Sequence, residues 1–100
     1  MRMRLTERRY VPRLHITRPI CVRPAWLKDG EFEDIEQTEN ASKRGIYFLT
    51  DVPHYFVGMR VFVTLPYSSP PDSKGHDYIG QVIRVEKAAA EKRAVAVQFL

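Results

Sequence analysis

Two short clusters in this chain hold residue types suited to gripping a nucleotide. The first is Arg8-Arg9-Tyr10-Val11-Pro12-Arg13, an R-x-x-x-R pattern through Arg9 and Arg13. The second is Asn40-Ala41-Ser42-Lys43-Arg44-Gly45, an N-x-S-x-x-G pattern through Asn40, Ser42 and Gly45. Arginine presents a planar fork of donors that matches a phosphate, or guanine O6 and N7, in a bidentate way. Asn and Ser supply small polar groups that read a base edge. Glycine lets the backbone approach closely or turn sharply. The chemistry on offer is recognition rather than catalysis. His15, His54 and His76 are scattered, with no cysteine or carboxylate at metal-ligand spacing. Ser42 has no motif that would make it a nucleophile, and Glu31 and Glu33 read as strand-spaced surface charges. The chain is therefore expected not to be an enzyme.

Spacing adds a constraint. Pro12 lies between Arg9 and Arg13 and pushes Val11 toward extended geometry. Residues an even number apart on an extended segment point to one side. At ~3.3 Å per residue, the two arginine Cα atoms would stand about 13 Å apart. Two long side chains at that separation can straddle a ligand with two bases and two phosphates. Asn40 and Ser42 obey the same even spacing at a strand end.

The elements that must position these residues are mostly strands. Apolar residues fall at even positions from Leu14: Leu14, Ile16, Ile20 and Val22. That alternation predicts a half-buried first strand, with Pro19 arguing for an edge position or a bulge. Residues 24–30 read as a hairpin loop with Asp29-Gly30 as the turn signal. Further strands are expected over about 32–38, 46–50, 59–65, 78–86 and 94–100. In the fourth, Met59, Val61, Val63 and Leu65 alternate with Arg60, Phe62 and Thr64. Residues 66–77, with Pro70-Pro71, read as a loop, and 87–93 as a connector holding a helical turn. There is no internal repeat and no long amphipathic helix. Short strands between turn signals predict an all-β barrel or sandwich.

One hundred residues predict one domain with a modest core. No apolar run reaches membrane-spanning length and no signal-peptide pattern is present, so a soluble, cytoplasmic chain is expected. Cys21 is the only cysteine, which agrees with a reducing compartment and a structural thiol. The net charge of +4 is unevenly spread. Arg2, Arg4, Arg8, Arg9 and Arg13 crowd the N-terminus against Glu7. Residues 29–39 are the reverse, with Asp29, Glu31, Glu33, Asp34, Glu36 and Glu39 and no Lys or Arg. A local basic patch suits a small anion better than a nucleic-acid backbone. The acidic run is expected to be a solvated strand and hairpin. Aromatics are not interleaved with basic residues, so a single-strand stacking platform is not expected. Trp26 and Tyr55-Phe56 read as hairpin and core packing.

In this order, about one strand and a loop apart, the two clusters resemble the two-part signature of the PilZ family, bacterial receptors for the second messenger cyclic di-GMP. The runs Gly80-Gln81-Val82-Ile83-Arg84-Val85 and Val95-Ala96-Val97-Gln98-Phe99 look like the last two strands of a PilZ barrel. The resemblance spans roughly 7–100. It implies a six-stranded antiparallel β-barrel over 14–100, preceded by a flexible arginine segment over 1–13. It implies cyclic di-GMP as the ligand, without a further cofactor or metal, held by Arg9, Arg13, Asn40, Ser42 and Gly45. Arg8 either helps to hold a second, stacked ligand molecule or faces solvent. Arg84 stands where the family often has Arg or Trp near the ligand. At position 40 the family more often has Asp; Asn40 keeps an acceptor oxygen and loses the charge. PilZ proteins often carry a further helix after the last strand, whereas this sequence ends at Leu100. Neither nucleic acid nor membrane insertion is implied. An alternative is a PilZ-like barrel that has lost the ligand and serves protein–protein contacts. Such members generally lack the arginines present here.

Overall fold

Each alternating run turns its apolar side toward one shared interior. A computed structural model describes residues 17–68 and 75–100. Among them, six strands form: β1 (Pro19–Pro24), β2 (Asp34–Ala41), β3 (Gly45–Thr50), β4 (Arg60–Leu65), β5 (His76–Lys87) and β6 (Arg93–Phe99). They close a barrel in the order β1-β2-β3-β6-β5-β4, every neighbour antiparallel. The expected all-β, six-stranded antiparallel barrel is thus the fold that forms. The arginine segment 1–13 lies outside the described residues, as do 14–16 and 69–74. Among the described residues, no helix is long and apolar enough to cross a membrane.

The core is the inward set of these alternations. Ile20 and Val22, Ile46 and Phe48, Val61 and Val63, Val82, and Val95 and Val97 pack together with Met59 and Tyr55. β-Branched side chains suit such a pleated, two-sided wall. Each Val or Ile taken fully out of water contributes roughly 1.5–3 kcal/mol.

Several local expectations shift. Pro19 occupies neither an edge nor a bulge. It is the first residue of β1, where no inward ladder bond to β4 is required, and its carbonyl accepts from the Tyr67 N–H at 2.8 Å. The β1–β2 connection is longer than a tight hairpin. It contains a 3-10 turn at Leu27–Asp29, ended by Gly30 at φ 108°. The second strand begins and ends later than its polar composition predicts, at Asp34 and Ala41. The helical turn expected in the β5–β6 connector is a short 3-10 turn, Ala89–Glu91, with Ala90 and Glu91 at φ 59° and 63°.

The acidic run is not simply solvated. Asp34 is only 4% exposed, and Thr38 two turns of the pleat further on is buried as well. The inner face of β2 is polar because β3 and the β3–β4 connection offer it hydroxyls. Thr50 Oγ1 and Tyr55 OH donate to Asp34 Oδ2 at 2.6 and 2.7 Å. Glu31 and Glu33 do remain exposed.

The barrel has two differently equipped ends. At one, the chain enters β1, β2 turns into β3, and β6 finishes. At the other lie the β1–β2 loop, the β3–β4 connection and the β5–β6 turn.

Candidate functional site

Asn40, Ser42 and Gly45 meet at the first of these ends, on the barrel's outer wall. They line one side of a groove of about 400 Å3, faced by Tyr47, Ile83 and Gln98. Three residues, Ser42 to Arg44, make the turn from β2 to β3. The Ser42 N–H donates to the Gly45 carbonyl at 2.9 Å, and Ser42 Oγ accepts from the Arg44 N–H at 3.1 Å. Ser42 is therefore a turn former as well as an exposed hydroxyl at the groove's rim. The Arg44 carbonyl in turn accepts from the Phe99 N–H at 2.7 Å, which ties the hairpin to the end of β6.

Gly45 is required for closeness rather than for an unusual turn. A Cβ at this position would stand 2.1 Å from the Val97 carbonyl oxygen. Only a residue without a side chain lets β3 lie so near β6 at the floor of the groove.

Two bulges decide which side chains face outward around the groove. In β2 the inward residues are Asp34, Glu36 and Thr38, so strict alternation would turn Asn40 inward too. The register shifts between Thr38 and Asn40, and Ala41 rather than Asn40 packs against the core. Asn40 is thereby turned outward. In β5 the register shifts again between Val82 and Arg84. Val82 is fully buried while Ile83 and Arg84 are both exposed. A bulge of this kind re-aims side chains locally, and such bulges are common beside binding sites. The registers then align Asn40 with Tyr47, Tyr47 with Ala96, and Ala96 with Arg84 across four strands. Ala96, at 8% exposure, is the low floor of this row.

Arg84 shares that row, yet its neighbour Ile83 lines the groove. The Arg84 side chain is exposed, with Nε 3.9 Å from Glu86 Oε2. Lys43 and Arg44 are exposed on the hairpin and add positive potential there. Arg8, Arg9 and Arg13 lie outside the described residues. The described chain that follows them begins beside the motif, however. The Arg18 N–H donates to Thr38 Oγ1 and the Thr38 N–H donates to the Arg18 carbonyl, both at 2.9 Å. Thr38 stands two residues before Asn40. Five residues of chain allow Arg13 a reach of at most about 17 Å from Arg18.

Sequence reasoning did not single out Tyr47, Ala96, Gln98 or Ile83. The first three were detectable as outward members of alternating runs. So was Ile83, the residue after the inward Val82; what alternation does not announce is Arg84 facing outward beside it, which takes the bulge.

A second polar region sits inside the opposite end. Glu36, half-buried beside Asp34, has its carboxyl pushed up from 4.5 to about 7. Burial is the main cause, followed by the hydrogen bond with Asp34 and its charge. Burial, then the Asp34 carboxyl, also raises Tyr55. Beyond it, Lys92 donates to Asp51 Oδ1 at 3.0 Å across a separate surface cavity near the β5–β6 turn. Among the described residues, no group of three or more His, Cys, Asp or Glu is placed to hold a metal ion.

No protein-family model, curated protein or solved structure matches this chain.

Proposed function

We propose that this chain is a PilZ-type receptor for cyclic di-GMP, acting by binding rather than by catalysis. The observation that carries this reading is the pairing of Arg18 with Thr38, which sets the described chain after the arginine cluster beside the strand that bears Asn40 and leads into Ser42. Both clusters can then serve one groove. Arg9 and Arg13 supply forked donors for guanine and phosphate, with Arg8 available for a second, stacked ligand molecule. Asn40 and Ser42 read a base edge, and Gly45 keeps the groove floor low. Arg84, in the same row, adds positive charge at the far wall. Charge-assisted contacts from these arginines hold the ligand, and the liganded state is the output. The lone, buried Cys21 fits a reducing, cytoplasmic setting.

Calorimetric titration with cyclic di-GMP, beside GMP and cyclic di-AMP, tests the reading. Heat from cyclic di-GMP alone supports it. Arg9→Ala and Arg13→Ala should each weaken binding by about tenfold or more while the barrel stays folded. Equal binding by either variant and the parent would remove that arginine from the site.

A second reading, a barrel for protein–protein contacts without nucleotide, is favoured by one observation. Trp26, Leu27, Phe56 and Val57 are exposed at the end opposite the groove, Leu27 by 80%. A folded sample that gives no heat with cyclic di-GMP selects this reading.

A further inference from the structure

The groove holds more than its polar residues explain. Part of its lining is apolar: Tyr47 on β3 and Ile83 on β5, with the Ala96 methyl between them on β6. Ile83 is 50% exposed, next to the fully buried Val82. Alternation from the buried Val82 turns it outward, and the bulge that follows keeps Arg84 outward beside it. A lone exposed isoleucine is unremarkable on any surface. This one forms a wall of the groove that also contains Asn40 and Ser42, with an aromatic ring as the opposite wall.

Resting on the receptor reading above, we propose that Tyr47 and Ile83 form an apolar shelf that takes the flat face of a nucleobase over Ala96. Two strand spacings separate the walls, roughly 9.6 Å between backbones. A planar ring can lie in such a slot with its edge toward Asn40 and Ser42. The division of labour follows from the chemistry. Every base has a flat π-face, so a shelf raises affinity without choosing between bases. Base edges differ in donors and acceptors, so discrimination belongs to the polar pair. The shelf therefore sets how tightly a dinucleotide is held, and Asn40 and Ser42 set which one.

The test joins calorimetry with methyl NMR on the whole chain. Tyr47→Ser and Ile83→Ser should each weaken cyclic di-GMP binding by roughly tenfold, the scale of losing a stacked base. Tyr47→Phe should keep most of the affinity, because the ring and not the hydroxyl does the stacking. In the parent, the Ile83 δ1 methyl should move upfield on addition of cyclic di-GMP, as a methyl over an aromatic face must. A general loosening of the barrel would not produce that directed shift. Ser42→Ala should alter the ratio of cyclic di-GMP to cyclic di-AMP affinity, whereas Tyr47→Ser should leave the ratio unchanged. Heat from the parent with undiminished binding in both serine variants, or with an unmoved Ile83 methyl, overturns the shelf alone. No heat from the parent overturns the receptor reading and the shelf together.

Discussion

The two halves of β2 put polar side chains to opposite uses. In the first half, Asp34 points inward, is 4% exposed, and accepts hydrogen bonds from Thr50 and Tyr55. In the second half, after the bulge, Asn40 faces an open groove on the outer wall, together with Ser42 in the turn that follows. The first half is frame: its polar atoms are satisfied within the protein, and they specify how β2, β3 and the β3–β4 connection fit together. The second half is surface held in a fixed geometry, with a close-packed glycine behind it. A polar residue becomes a recognition element when the backbone is immobilised around it and its edge still faces outward. One register shift separates the two roles.

The sharpest way to break this contrast is to spoil the close approach behind the groove. Gly45→Val would drive a branched side chain into the Val97 carbonyl, where even a Cβ would stand at 2.1 Å. Overpacking against backbone should cost about 3 kcal/mol, because neither β3 nor β6 can move without opening the barrel. Urea denaturation should show the loss as a lower midpoint. A variant as stable as the parent would mean that the two strands are not so tightly apposed, and the groove's fixed floor would go with them.

Asp34→Ala probes the framing half. It leaves the buried Thr50 and Tyr55 hydroxyls without their shared acceptor, at about 2 kcal/mol in all. Part of the loss is offset, since Glu36 no longer faces a neighbouring acid. Cyclic di-GMP affinity, measured well below the melting temperature, should stay within about twofold of the parent on the receptor reading. A large drop in affinity at intact fold would show that the halves of β2 are not separate after all.

How much of this was legible follows from where alternation holds. Strands with clean period-two patterns, such as Met59-Arg60-Val61-Phe62-Val63, announce both their existence and their inward face. The barrel follows from several such runs. β2 gives no such signal, since its inward residues are Asp34, Glu36 and Thr38 and its acids read as solvated. Only the distant Tyr55 and Thr50, brought in by the fold, make that burial tolerable. Asn40, Ser42 and Gly45 were legible as a cluster by residue type, and the fold sets them along one groove. Its apolar side was not singled out, because an outward Tyr or Ile on an alternating strand carries no chemical signal of its own.

Asn40→Asp sharpens the recognition half. A carboxylate accepts from guanine N–H donors more strongly than an amide oxygen does. On the receptor reading, cyclic di-GMP binding should tighten by about 1 kcal/mol, or roughly fivefold. The preference over cyclic di-AMP should widen with it. Calorimetry on both dinucleotides decides the matter, and weakened binding would place Asn40 against a phosphate rather than a base edge.

The smallest effect should come from titrating the framing half. Glu36 has its carboxyl raised from 4.5 to about 7 by burial and by Asp34. In the unfolded chain it loses its proton near the lower value, while the folded protein keeps that proton until pH approaches the higher one. Between these limits the folded state binds more protons, so raising the pH favours unfolding. The stabilising contribution is complete below about pH 4.5 and is lost as the pH rises through about 7. Full coupling would amount to roughly 3 kcal/mol, and solvent screening of a half-buried carboxyl reduces this to about 1 kcal/mol or less. Denaturation midpoints measured from pH 5 to pH 8 should therefore fall gently in the parent. In Glu36→Gln that slope should flatten, because the amide keeps a donor toward Asp34 and cannot ionise. A parent whose stability rises over this range, or a Gln variant that keeps the slope, would remove Glu36 from the frame and leave Asp34, Thr50 and Tyr55 as its only members.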